Sequence, residues 1–280
     1  MLGFLKRRRN PPGTRPYRSP FLPAAGEPLI VHGSHHKVGT RWFSKVLRDL
    51  AVPFGMKVYV GPQDTLPADA HIFIENHSRF DRERLPHFRG SHLIRDPRDV
   101  IVSAYHYHLW TKEEWANIPM AQLPQAAKKR WSRIEPDKHA HLSYREYLNS
   151  LDPETGLTVE MKRLSATFLR ELLSWDYEDP RFIEVRYEDL VADEQGVFAR
   201  IFEHYGLNEE AMVVAMRAVE AASFRNRAKR EPGQIQEGSH FRSGKAGQWR
   251  EEFTPEHITL CKALFGEALI QLGYEKGLDW

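Results

Sequence analysis

The feature that most constrains the fold is an apolar strand followed by a glycine-bearing loop and a helical pattern near the start of the chain. Residues Leu29 to Trp42 read LIVHGSHHKVGTRW. The run Leu29, Ile30 and Val31 is typical of a buried strand, and after Thr40 the apolar residues recur at helical spacing. In a parallel α/β sheet, the loop of such a unit lies at the carboxyl end of its strand, where ligands bind.

Strands and helices alternate along most of the chain. The segments MKVYV, HIFIE, SHLIRD and RFIEVRYEDL read as further strands. Helical patterns separate them, and ETGLTVEMKRLSATFLRELLSW reads as one long amphipathic helix. The polar region 112–152 reads as an insertion or lid. The alternation predicts an α/β, three-layer P-loop-like fold with a central, mainly parallel sheet flanked by helices.

The first 28 residues differ from the rest in composition. They hold six prolines and six Lys or Arg but one acidic residue, which predicts a mobile, basic, proline-rich arm over 1–28 and one domain over 29–280. No apolar stretch reaches the roughly 18 residues of a transmembrane helix, and the start lacks the order of a secretory signal. The single cysteine suits a reducing compartment. We therefore expect a cytoplasmic protein without stable membrane insertion.

The overall charge excludes a broadly polybasic protein. The formal net charge is +2, so a nucleic-acid partner is not expected and any anion site must arise from local clustering. The loop that contains Lys37 is one such place. Gly33 and Gly39 permit a close turn, Thr40 is expected to cap the helix, and Lys37 adds a positive charge beside the helix N-terminus.

This loop differs from the usual nucleotide-binding loop. The pattern G-x-x-x-x-G-K-[ST] places a lysine after the second glycine, whereas here Thr40 and Arg41 follow Gly39. The loop is therefore predicted to bind a phosphate-like anion. A nucleotide kinase or NTPase of the P-loop class remains an alternative function, as does a catalytically silent nucleotide-binding protein.

Two further segments carry anion-binding chemistry. In IRDPRDVIVSAYHYH, Arg95 ends a predicted strand and Ser103 lies on the helix that follows. Arginine suits the bidentate recognition of phosphate, and a serine hydroxyl can donate one more hydrogen bond. In FRSGKAGQWREEFTP, Arg242 supplies charge, while Gly244 and Gly247 let the backbone approach an anion.

Together, HKVGTRW, RDPRDVIVSAYHYH and RSGKAGQW resemble the three nucleotide-binding motifs of cytosolic-type sulfotransferases, which use 3′-phosphoadenosine 5′-phosphosulfate (PAPS). RYEDL and ASFRNR are similar to two lesser motifs of that family. The resemblance implies transfer of a sulfuryl group from PAPS to a hydroxyl or amine, with release of adenosine 3′,5′-bisphosphate (PAP). It implies no metal, since a sulfuryl group carries less negative charge than a phosphoryl group and a lysine with backbone amides can suffice.

The resemblance also implies roles for particular residues. Lys37 would stabilise the charge on the leaving phosphate oxygen. Trp42 and Phe224 would stack on the two faces of the adenine. The implied cofactor-binding residues are Lys37, Val38, Gly39, Thr40, Arg41, Trp42, Arg95, Ser103, Tyr187, Ser223, Phe224, Arg242, Ser243 and Gly244. Two positions depart from the family pattern, because His36 replaces a proline and Ser243 replaces a lysine.

The acceptor must lose a proton to a general base. The family has Lys-Thr-His where this chain has Glu75, Asn76 and His77, so His77 is the candidate base and Glu75 the alternative. We expect a small-molecule or carbohydrate acceptor. The tryptophans near the predicted lid that could stack on its ring are Trp110, Trp115 and Trp131.

Overall fold

Five parallel strands form one sheet in the order β2-β3-β1-β4-β5. The computed structural model describes residues 19–22 and 27–280. The strands are β1 Leu29–Gly33, β2 Val58–Val60, β3 Ile72–Glu75, β4 Phe88–Ile94 and β5 Phe182–Arg186. Since β1 lies between β3 and β4, the direction in which strands are added reverses there, and a crevice opens at the carboxyl ends.

Helices connect and cover the strands. In chain order they are α1 Thr40–Ala51, α2 Pro97–His108, α3 Glu114–Asn117, α4 Gln125–Arg130, α5 Tyr144–Asn149, α6 Pro153–Ala166, α7 Phe168–Leu173, α8 Tyr187–Ala192, α9 Glu194–Tyr205, α10 Glu209–Ala222, α11 Phe224–Ala228, α12 Trp249–Glu252 and α13 Pro255–Gln271.

Both faces of the sheet are buried, as the apolar strands predicted. Alternate residues of a strand point to opposite faces. Thus Ile30 and Ile72 belong to the larger core, whereas Val31 and Phe73 belong to a smaller core on the other side. The predicted three-layer α/β fold with a parallel sheet is confirmed.

The predicted long helix over 154–175 is wrong in one respect, because it is broken at Thr167. Thr167 has φ −118° and ψ −75° and separates α6 from α7. Its hydroxyl donates to the carbonyl of Arg163, and the hydroxyl of Ser165 donates to that of Lys162. Hydroxyls that bond the preceding turn bend helices, which accounts for a break that apolar spacing did not reveal.

The segment RFIEVRYEDL is also shorter as a strand than predicted. Strand β5 ends at Arg186, and Tyr187 begins α8. Tyr187 therefore leaves the sheet at its carboxyl end and turns towards the crevice. This position brings its ring to the same edge as the loops that follow β1 and β4.

Part of the predicted N-terminal arm packs against the domain. The side chain of Phe21 is buried, the amide of Leu22 donates to Gly206, and the amide of Asn208 donates to Pro20. Residues 19–22 thus lie against the turn between α9 and α10. The rest of the arm falls outside the described residues, apart from Glu27 and Pro28. None of the helices described is long and apolar enough to cross a membrane.

Candidate active site

One cavity of about 760 Å³ opens at the carboxyl ends of the strands. It is lined by every residue predicted for the cofactor and by the predicted base His77, with the exception of Val38. The side chain of Val38 is buried in the core, so only its backbone is placed to face a ligand. Residues from six separate parts of the sequence therefore meet at one place.

The loop between β1 and α1 has an unusual backbone. Gly39 precedes α1 with φ 103°, and a Cβ there would lie 3.0 Å from the ring of Tyr187. Lys37 also has a positive φ, 63°, which is uncommon for a side chain of this kind and is found at ligand-binding sites.

Thr40 does not cap α1, contrary to the prediction. Among residues 19–22 and 27–280 no side chain caps this helix, and Thr40 is its first residue. The Thr40 hydroxyl instead donates to the carbonyl of His35 at 3.0 Å and lies 3.1 Å from the hydroxyl of Ser34. Thr40 thus closes the loop on itself and leaves the first amides of the helix without a side-chain partner in the described part of the chain.

Lys37 lines the cavity and is largely buried there. Its Nζ lies 4.1 Å from the centroid of the Tyr107 ring. Burial and the nearby charge of Arg95 together lower the pKa of Lys37 to about 7, while Glu113 opposes the shift. An anion bound beside Lys37 would favour its charged form. A phosphate-like ligand would therefore act as a counter-ion for this lysine.

Arg95 joins the two anion-binding loops. Its guanidinium donates to the carbonyl of Lys37 at 3.2 Å and to that of Lys245 at 3.2 Å, and it lies 4.3 Å from the ring centroid of Tyr187. Arg95 is almost fully buried, and its Nε has no hydrogen-bond partner within the described part of the chain. A buried unpaired N–H is costly, so this donor suits a ligand that brings an acceptor.

Arg242 is held by two carboxylates. It donates to Glu237 at 3.0 Å, to Glu252 at 2.9 Å and to the side chain of Gln248 at 2.9 Å. The other oxygen of Glu252 lies 2.6 Å from Nε2 of His106. Since His106 is three residues after Ser103 on α2, both lie on one helix face. Ser103 and Arg242, both predicted to bind the cofactor, thus line the same cavity, and the carboxylates of Glu237 and Glu252 lie beside Arg242.

Asp99 fixes the loop that carries Arg242. Its buried carboxylate accepts the amides of Gly247 at 2.7 Å and Trp249 at 3.1 Å. At Gly244, φ is 69° and a Cβ would lie 2.5 Å from the ring of Phe224. The glycine therefore allows the loop to pack on that ring and holds it against the cavity.

Aromatic rings form two walls. On one side Trp42 meets Tyr187 edge to face, with centroids 6.3 Å apart. On the other, Tyr107 and Trp110 have centroids 5.1 Å apart, and His240 lies 5.0 Å from Trp110. Trp115 and Trp131, which were also predicted to stack on an acceptor ring, do not line the cavity. They pack instead against the buried ring of Tyr144.

The two candidate bases differ in their surroundings. His77 lines the cavity, whereas Glu75 does not. One oxygen of Glu75 accepts the backbone amide of His77 at 3.0 Å and that of Arg79 at 2.5 Å. These bonds assign Glu75 to the structure of the loop after β3, which presents His77 to the cavity.

Sequence reasoning missed several residues of this site. Glu237 and Glu252 belong to none of the three motifs. They pair with Arg242 because the loop 231–249 folds back on itself. Tyr107 belongs to one of the three motifs, but its contact with Lys37 arises because both follow neighbouring strands. No sequence pattern distinguishes His240 from the other histidines of the chain, which has fourteen.

Comparison with known proteins identifies the family. The model of the sulfotransferase domain matches residues 91–273, which is more than half of the chain. The chain belongs to the sulfotransferase family. Its class of reaction is sulfuryl transfer with PAPS as co-substrate, and neither alternative function is favoured. The matched residues include Arg95, Ser103 and Arg242, while Lys37 and His77 precede them. Curated protein sequences gave no match.

Several solved structures are similar to this chain. Mouse sulfotransferase SULT7A1, solved with PAP, is 17% identical, with 87% of this chain and 85% of that chain aligned at a TM-score of 0.50. Retinol dehydratase with androsterone and PAP is 18% identical, with 87% and 81% aligned at a TM-score of 0.47. Its complex with retinol and PAP is also 18% identical, with 87% and 82% aligned at 0.48.

The described part of the chain holds no evident metal centre. Across residues 19–22 and 27–280, no group of three or more His, Cys, Asp or Glu side chains is arranged to hold a metal ion.

Proposed function

We propose that this cavity binds PAPS and transfers its sulfuryl group to a hydroxyl or amine of a small, ring-containing acceptor. The observation that carries the proposal is the meeting of Lys37, Arg95 and Arg242 in one cavity between two aromatic walls. Three cations from distant parts of the chain are more than a phosphate monoester needs, and they suit a nucleotide with charged groups at both 5′ and 3′ positions.

The donor is assigned to the side of the cavity that holds Trp42 and Phe224. The 5′-phosphosulfate would lie against the loop between β1 and α1, whose uncapped amides and Lys37 can bind an anion. The 3′-phosphate would accept from Arg95, Ser103 and Arg242. The adenine would lie between the rings of Trp42 and Phe224 and beside Ser223 and Tyr187.

In the reaction, the acceptor oxygen or nitrogen forms a bond to sulfur as the bond from sulfur to the 5′-phosphate oxygen breaks. The leaving oxygen takes the electron pair, and protonated Lys37 stabilises its charge. His77 accepts the proton of the acceptor. A lysine that loses its proton readily is suited to this place, because it can also donate that proton to the leaving oxygen.

The second aromatic wall indicates the kind of acceptor. Tyr107, Trp110 and the candidate base His77 all line the cavity, and the first two present ring surfaces to it. Flat rings pack well against such surfaces. Phenols and ring-bearing amines are therefore proposed as acceptors ahead of open-chain alcohols, with sugars as the second class.

The test is transfer of labelled sulfuryl from PAPS to a panel of phenols, aryl amines, alcohols and sugars. Wild type and Lys45→Ala should transfer, because Lys45 is an exposed residue of α1 that pairs with Asp49 outside the cavity. Lys37→Ala should fold and bind PAP more weakly but transfer nothing measurable. Full transfer by Lys37→Ala would contradict the mechanism. No transfer by wild type, together with no binding of PAP, would contradict the function.

A further inference from the structure

A chain of three buried or half-buried side chains runs from the cavity across the sheet. Nε2 of His35 lies 2.9 Å from Nε2 of His92, and Nδ1 of His92 lies 2.7 Å from Oε2 of Glu184. His35 lines the cavity, and the side chain of Glu184 is 26% exposed at the other end. The three groups therefore connect the cavity with the solvent through two short hydrogen bonds.

The sheet itself sets this alignment. His92 on β4 is the register partner of Gly33 on β1 and of Glu184 on β5. Neighbouring register partners point to the same face, and His35 follows two residues after Gly33. The ring of His92 is stacked on Trp175 with centroids 3.8 Å apart. Packing thus holds the rings in the orientation that the hydrogen bonds require.

The hydrogen bonds determine where each proton lies. When Glu184 is ionised, His92 must donate from Nδ1 to the carboxylate and accept at Nε2 from Nε2–H of His35. This leaves Nδ1 of His35 without a proton. That nitrogen is buried and has no partner among the residues that the structure describes. A buried acceptor without a partner lowers stability, and this nitrogen is open to a hydrogen-bond donor or a proton.

We propose that His35, His92 and Glu184 form a relay that removes the proton released in the cavity during sulfuryl transfer. The proton passes from His77, which lines the same cavity, to Nδ1 of His35, as the proton on His35 Nε2 passes to Nε2 of His92. The proton on His92 Nδ1 then passes to Oε2 of Glu184. The net result is the transfer of one proton: both rings end neutral, and the carboxylate becomes a carboxylic acid. The inference rests on the proposed function, in which the proton first reaches His77.

The pKa shifts of the three groups favour proton movement from His35 towards Glu184. Burial lowers the pKa of both His35 and His92 well below the ordinary value, so both rings are neutral. Burial also raises the pKa of Glu184 to about 8. The charged or titratable groups facing the relay from neighbouring segments are His77, Arg79, Arg82, Asp176, Tyr177 and Asp179. The proton-accepting form of the relay therefore grows as the pH rises through about 8.

Glu184→Gln provides the decisive variant. Trp175 donates from Nε1 to Oε1 of Glu184 at 2.8 Å, so the glutamine oxygen is expected to face Trp175 and its NH₂ to face His92. His92 Nδ1 must then accept, which reverses both rings and places a proton on Nδ1 of His35. The variant keeps the shape of the side chain but cannot take a proton. His92→Phe interrupts the relay differently and keeps the stack on Trp175.

The experiment has two readouts on the full chain labelled with ¹⁵N-histidine. In wild type, Nδ1 of His35 should lose its proton as the pH rises through about 8, whereas in Glu184→Gln it should remain protonated. For transfer, kcat of wild type should rise over the same range. Glu184→Gln and His92→Phe should lose that rise and fall in kcat by up to about 100-fold. Glu178→Gln, at an exposed carboxylate before β5, should match wild type.

Each outcome either supports the relay or contradicts it. An unchanged His35 tautomer in Glu184→Gln, or a wild-type pH profile of kcat in both relay variants, would overturn the relay. A KM for PAPS equal to that of wild type separates loss of proton transfer from loss of structure. Absence of transfer by wild type would instead contradict the proposed function, and the tautomer measurement, which needs no acceptor, would still show whether the three groups share a proton.

Discussion

Raising the pH from 7 to 9 should weaken the binding of PAP, because Lys37 must be charged to hold the 5′-phosphate. In the free protein its pKa is lowered to about 7 by burial and by Arg95. A bound anion favours the charged form, so the pKa of Lys37 rises on binding and a proton is taken up. The affinity is therefore highest below the free pKa and falls as the pH rises above it.

The magnitude follows from the charged fraction. About half of Lys37 is protonated at a pH equal to its pKa and about 1% two units above it, so the apparent Kd should rise about 50-fold over this range. The phosphates contribute little, since their second ionisation, with a pKa of about 6, is nearly complete at neutral pH. Isothermal titration calorimetry in two buffers of different ionisation enthalpy measures both the affinity and the proton uptake.

Lys37→Arg is the matched control. Arginine stays charged across this range, so the variant should bind PAP with a Kd that changes little between pH 7 and 9. A wild-type Kd that is equally flat, with no proton uptake, would refute the reasoning. It would mean that Lys37 does not contact the anion or that its charge does not change on binding.

Other residues of the site and core give further expectations. Glu237→Gln should tighten PAP binding about two- to fivefold in a fluorescence titration, because an exposed carboxylate then no longer competes for Arg242; weaker binding would contradict this. Gly244→Val should lower the melting temperature and weaken PAP binding, since a side chain at φ 69° is strained and meets an aromatic ring. Glu160→Ala should cost about 3–5 kcal/mol in urea denaturation, because it leaves Arg163 buried and unpaired; a loss under 1 kcal/mol would contradict that expectation.

The sequence predicted the groups that meet at the carboxyl edge of the sheet. Lys37 and Arg95 each follow an apolar strand, and parallel strands place such loops side by side. Their approach was therefore predictable from the order of strands and loops along the chain. The sheet and its two covered faces were predictable for the same reason, since the strands are apolar on both sides.

What the sequence did not predict depends on register and on competing hydrogen bonds. His92 and Glu184 pair only because β4 and β5 align at those positions. The hydroxyls of Thr40 and Thr167 each bond a backbone carbonyl, so one does not cap its helix and the other breaks one. The helix propensity of a threonine does not determine which backbone group its hydroxyl will bond.

The central claim is that the cavity binds a nucleotide carrying both 5′- and 3′-phosphates. The most direct measurement is the thermal unfolding of the full chain with PAP, with AMP and with ATP. At about 100 times its Kd, PAP should stabilise the fold by roughly 2.7 kcal/mol, while AMP at the same concentration should give a much smaller shift. Stabilisation by ATP with none by PAP would contradict the account and favour a nucleotide kinase.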